Sequence, residues 1–112
     1  MNAPAKSGRM VTFITAASYD EAKNISRVLV GEKLAACCSI IRGVTSIYAW
    51  KGKTEEAEEC LIIVKTNGKN FSQLVKKVKD IHSYDLPEII GMPITEGLEG
   101  YLNWIDESLE PK

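Results

Sequence analysis

The chain carries one histidine and three cysteines in 112 residues. With no CxxC and no HxH pair, Cys and His cannot build an ordinary four-ligand zinc site at short spacing. An odd cysteine count without scaffold spacing excludes a disulfide framework and suits a reducing compartment. Surplus basic charge is also missing: 14 Lys and Arg stand against 15 Asp and Glu, a formal charge of -1. That excludes a nucleic-acid binder relying on many phosphate contacts. Arginine is confined to Arg9, Arg27 and Arg42. None lies in an anion-binding loop, and there is no glycine-rich phosphate loop and no positioned nucleophile, so the expectation is a protein that is not an enzyme. Long apolar runs are absent too. The longest, 34–38 and 60–64, fall far short of the about 18 residues a membrane helix needs. The first nine residues have no apolar signal core. They read as a flexible tail, residues 10–112 as one domain, and the compartment as cytoplasmic.

What is present follows two alternating periods. Residues 10–16 carry Val11, Phe13 and Ile14 among threonines, a first strand. Ser18 and Glu21 form a capping box, with Glu21 reaching back to the cap. Ala22, Ile25 and Leu29 then recur at helical spacing to about Lys33. Residues 36–50 and 57–66 read as two arms of an antiparallel hairpin around Lys51-Gly52-Lys53, with a bulge at Gly43. In a simple register Cys60 faces about Thr45. Asn70 with Gln73 suggests the cap of a second helix whose apolar face holds Phe71, Leu74, Val75, Val78 and Ile81. A short strand over 88–94 and a helix over 98–109 complete the order. That order, β-α-β-β-α-β-α, predicts a ferredoxin-like α+β sandwich with an added C-terminal helix. An RNA-binding sheet of this type needs aromatic pairs on its central strands, where Phe13 stands alone.

One strand is apolar on both faces. Leu61 and Ile63 point one way, Cys60, Ile62 and Val64 the other. A sheet with one wet face alternates apolar with polar, so the second face needs cover. The simplest cover is another copy of the chain; the C-terminal helix folded across that face is the alternative.

Several motifs together resemble the CutA divalent-cation-tolerance family: Leu34-Ala35-Ala36-Cys37; Gly43-Val44-Thr45-Ser46-Ile47-Tyr48 continuing through Trp50-Lys51-Gly52-Lys53; Ile63-Val64-Lys65-Thr66; His82-Ser83-Tyr84-Asp85-Leu86-Pro87-Glu88-Ile89; and Tyr101-Leu102 with Trp104-Ile105. The resemblance implies a homotrimer similar in architecture to the PII signalling proteins. It also implies a part in tolerance of divalent metals, chiefly copper, by metal binding or signal-like binding. Metal-binding members use a cysteine ending the first strand and a His-His pair ending the second helix. Here that strand ends Thr15-Ala16-Ala17 and Ile81 precedes His82, so His82 alone carries over. Ser83 stands where the family usually has proline, which makes its loop less rigidly preset.

His82 is therefore the candidate ligand for copper or another divalent cation, or else a cap on the second helix. Cys37 is a candidate thiol donor; adjacent Cys37 and Cys38 must face opposite ways in a strand. Trp50, Lys65, Tyr84 and Glu88 are candidates for a small-ligand cleft between copies, or for packing and ion pairing at such an interface. Glu55, Glu56, Glu58 and Glu59 read as a solvated charge run.

Overall fold

A computed structural model describes residues 8–111 and orders them as β1 (Arg9–Ala16), α1 (Tyr19–Gly31), β2 (Cys37–Trp50), β3 (Lys53–Asn67), α2 (Gly68–Ile81), β4 (Ile89–Pro93) and α3 (Glu99–Leu109). The four strands form one antiparallel sheet in the order β2-β3-β1-β4. This is the ferredoxin-like α+β arrangement. Residues 1–7 of the expected tail lie outside the described residues. Arg9, assigned to that tail from sequence, is in β1 opposite Asn67.

The core lies between the sheet and the pair α1 and α2. Along β1 and β3, Ile14 and Ala16 register with Ile62 and Cys60. These side chains and Val64 are buried against Ala22, Ile25 and Leu29 of α1 and Leu74 and Val78 of α2. Replacing one such residue, Ile62 for example, by alanine costs about 2–5 kcal/mol. Thr66 enters the same layer because its hydroxyl donates to the Leu34 carbonyl at 2.7 Å.

The caps explain where the helices begin and stop. The Ser18 hydroxyl accepts the Glu21 N–H. The Glu21 carboxylate does not return to Ser18, as the capping box predicts; it accepts from the Ala17 N–H at 3.2 Å. α1 ends in a Schellman turn, with Lys33 N–H bonded to Val30 O and Leu34 N–H to Leu29 O. Lys33 holds the left-handed position at φ 60°, a place glycine fills more cheaply. α2 is capped by Asn67, whose side chain accepts the Asn70 N–H at 2.9 Å. The sequence placed that cap three residues late, because Asn70 is itself the group that Asn67 caps.

The hairpin turns at Lys51 and Gly52, both with positive φ, as a two-residue primed turn requires. Its register holds from Trp50–Lys53 to Val44–Glu59, slips at Gly43, and resumes at Ile41–Leu61. Arg42 and Gly43 thus face Cys60 together, a bulge. Thr45 faces Glu58, so the register expected for Cys60 is corrected: the tight turn sits nearer Thr45 than a longer loop would. β1 pairs only with 60–67 of β3. Residues 53–59 and 44–50 therefore extend past the body as a two-stranded ribbon.

The second sheet face is open over most of its width. Phe13 registers with Ile63 and Ile90, and Val11 with Lys65 and Met92. Ile41, Ile90 and Met92 are 46%, 51% and 40% exposed. α3 covers one end only, where Ile105 and Leu109 close over Ala36 with Ile94 and Leu102 beside them.

Candidate functional site

The polar side chains gather at two ends of the sheet. At the C-terminal end of β1, α2 stops at His82, whose ring is fully enclosed. Its Nε2 lies 2.7 Å from the Thr15 carbonyl oxygen, and its Nδ1 accepts the Tyr84 N–H at 3.0 Å. The hydrogen-bond pattern assigns the proton to Nε2. Both nitrogens are occupied by backbone, so the residue that ends the helix also ties it to β1.

Next to it, Ser83 donates to both oxygens of Glu21: N–H to Oε2 at 2.7 Å, hydroxyl to Oε1 at 3.0 Å. Partial burial works to raise the Glu21 pKa, but the Ser83 donors and the Ala17 N–H outweigh it and hold the carboxyl below its ordinary range. Ser83 thus supplies by hydrogen bonding the loop order that proline supplies by ring closure. Tyr84 packs on the His82 ring, centroids 4.8 Å apart, and its hydroxyl donates to Glu59 Oε2 at 2.6 Å. Burial, that hydrogen bond and the Glu59 charge push the phenol far above its ordinary pKa, so it remains a donor. An open pocket of about 200 Å³ adjoins this knot, lined among others by Ser18, Tyr19, Arg42 and Glu59. The Arg42 guanidinium lies 4.1 Å from the centre of the Tyr19 ring.

At the other end, Cys37 registers with Lys65. The Lys65 ammonium is 3.8 Å from Cys37 Sγ, and the Tyr101 hydroxyl of α3 is 3.5 Å from the same sulfur. Cys38 points the opposite way, into the helical layer, where burial pushes its thiol up to about 11. Cys60 is buried.

The candidate cleft residues do not meet within one chain. Trp50 sits at the ribbon tip beside Lys53, and Lys65 is twelve residues farther along β3, roughly 40 Å away. Tyr84 belongs to the His82 knot and Glu88 is exposed ahead of β4. Among the described residues no three His, Cys, Asp or Glu side chains converge as a metal-binding group, and Cys37 has a cation beside it. One chain alone does not fit a copper site. Sequence reading missed Glu21 and Glu59 as members of the knot, and Tyr101 as the partner of Cys37. The first had been used up as a cap and the second as part of a charge run, and no local spacing relates either to residues 82–84.

The sequence matches the family described as CutA1 divalent ion tolerance protein over residues 10–108. It is 45% identical over 98 residues to the divalent-cation tolerance protein CutA of Thermus thermophilus, covering 88% of this chain and 95% of that one. It is 38% identical over 99 residues to the chloroplastic CutA of Arabidopsis thaliana, and spans 54% of that protein's length. The solved Thermus thermophilus divalent cation tolerance protein superposes with a TM-score of 0.89 at 43% identity, over 91% of this chain and 99% of the other. The protein described as periplasmic divalent cation tolerance protein CutA from Archaeoglobus fulgidus gives 0.88 at 42%, over 91% and 99%.

Proposed function

The chain belongs to the CutA1 divalent ion tolerance family and has a role in divalent cation tolerance, and on that premise we propose that it acts as a homotrimer which binds at the seams between its copies and catalyses nothing itself. The observation that carries this reading is the open apolar sheet face. Ile41, Phe13, Leu61, Ile63, Ile90 and Met92 share it by strand register, and α3 covers only one end. A second copy is the cover of matching chemistry, and the two exposed strand edges, β2 and β4, are where copies pair. The ribbon, which has no flanking strand of its own, gains one in the same step. Convergence of Trp50, Lys65, Tyr84 and Glu88 then has to be between copies. Light scattering tests this: the expected mass is about three times 12.4 kDa, and a mass of one chain overturns it.

Copper is the metal we propose for the tolerance role, with His82 and Cys37 as the donors the sequence offers. A copper ion at His82 has to displace the Thr15 carbonyl or the Tyr84 amide, and its remaining ligands have to come from another copy. Calorimetric copper titration of metal-free wild type beside His82→Ala tests the site. Tight binding lost in the variant assigns the ion to His82. Weak binding identical in both proteins removes His82 from the copper site.

The pocket beside Arg42 favours a second reading, a small-ligand sensor of the PII kind without physiological copper. Nucleotides and metabolites screened for a shift in melting temperature separate the two. Three free thiols are best kept in a reducing compartment, which supports a cytoplasmic location over the periplasmic one named for a relative.

A further inference from the structure

We propose that α3 is a latch: it opens as a unit while the sheet and the other two helices stay folded, and it uncovers the Cys37 end of the open face when it does. Three independent observations lead there. The first is packing. Ile105 and Leu109 bury themselves against Ala36, with Ile94 and Leu102, in a cluster separate from the main core. Opening α3 therefore forfeits a small cluster and leaves the large one intact, the pattern of a sub-global unfolding unit.

The second is that α3 lacks the side-chain N-cap the other helices have. Ser18 and Asn67 cap α1 and α2 through side-chain hydrogen bonds. Leu98 at the start of α3 makes none. Glu107 and Glu110 add negative charge near its C-terminal carbonyls, the unfavourable sense for the helix dipole, as Glu32 does singly at the end of α1.

The third is the fastening. Asp106 holds Arg9 of β1 through two bonds, 2.7 Å to Nη2 and 3.1 Å to Nε, a bidentate pair across 97 residues of chain. Tyr101 reaches Cys37 from the same helix. A single ion pair and two core side chains make a clasp that can let go, and what lies beneath is a thiol, the Lys65 ammonium and the end of the apolar face.

The test is hydrogen exchange followed by mass spectrometry on the protein in its native assembly, for wild type, Asp106→Asn and Ile105→Ala. The expected result is that amides of 102–109 exchange well before those of 61–66. Asp106→Asn should then speed the α3 amides by roughly two- to fivefold, the scale of a lost half-exposed ion pair, with β3 unchanged. Ile105→Ala should speed them further. Iodoacetamide should alkylate Cys37 faster in both variants while Cys38 and Cys60 keep their wild-type rates. Exchange of α3 and β3 at one common rate overturns the latch, as does acceleration of both elements together. If neither variant changes α3 exchange, the proposed fastening is wrong.

Discussion

Ser83 and Glu21, 62 residues apart, are joined by two hydrogen bonds that engage both carboxylate oxygens. The first turn of α1 and the loop leaving α2 are thereby locked to each other, with His82 enclosed beneath. Ser83→Pro removes both donors. The ring restores local stiffness but leaves the carboxylate with Ala17 alone, so a net loss of about 1–2 kcal/mol is expected. Thermal denaturation checks it, and Ser83→Ala, which keeps the N–H, should fall between.

The same pair predicts an acid dependence. Because the folded Glu21 carboxyl titrates below the ordinary 4.5, its contribution is present in full above that value and is lost as pH falls through the folded one. The melting-temperature gap between wild type and Glu21→Gln should be constant near neutrality and shrink between roughly pH 5 and pH 3. A gap that widens on acidification would mean the carboxylate is destabilising where it sits.

His82→Ala should cost about 2–4 kcal/mol whether or not metal is present, since it empties an enclosed site and orphans the Thr15 carbonyl. Denaturant unfolding with and without chelator measures it. Equal losses in the two conditions identify a structural residue, and a loss confined to the metal-loaded protein identifies a ligand.

Ile90→Asp and Met92→Asp place charge on the open face without touching the main core. Each should lower the light-scattering mass toward 12.4 kDa at micromolar protein, and the double variant more so. An unchanged mass would locate the contact between copies elsewhere.

Lys33→Gly should stabilise by roughly 0.5 kcal/mol, because glycine takes the left-handed C′ position without Cβ crowding. A melting-temperature rise of a degree or more confirms that the Schellman turn carries strain.

The order of elements was legible because each announces itself over a few residues: alternation in β1 and β3, helical spacing in α1 and α2, Gly43 at the bulge. The two-sided apolar pattern of 60–64 foretold a second face in need of cover; α3 takes one end of it, and the rest of the face is open in the single chain. Errors came where one residue type has two uses. Asn67 and Asn70 are both residue types that cap helices, and the structure uses Asn67, whose side chain accepts the Asn70 N–H. Glu21 was spent on a cap and Glu59 on a charge run, yet each takes part in a contact across the fold that no local period encodes. Tyr84, singled out for a cleft, was legible as special but not as the partner of Glu59.

The ribbon beyond Cys60 has a consequence for a single copy of the chain. A two-stranded hairpin with no third strand is marginal in water, and this one exposes Ile47, Tyr48 and Trp50 near its tip. On the proposed assembly, a copy without partners displays a marginal ribbon and exposed aromatic side chains, features that chaperones and proteases read. If copies assemble as proposed, surplus single chains are cleared faster than completed assemblies.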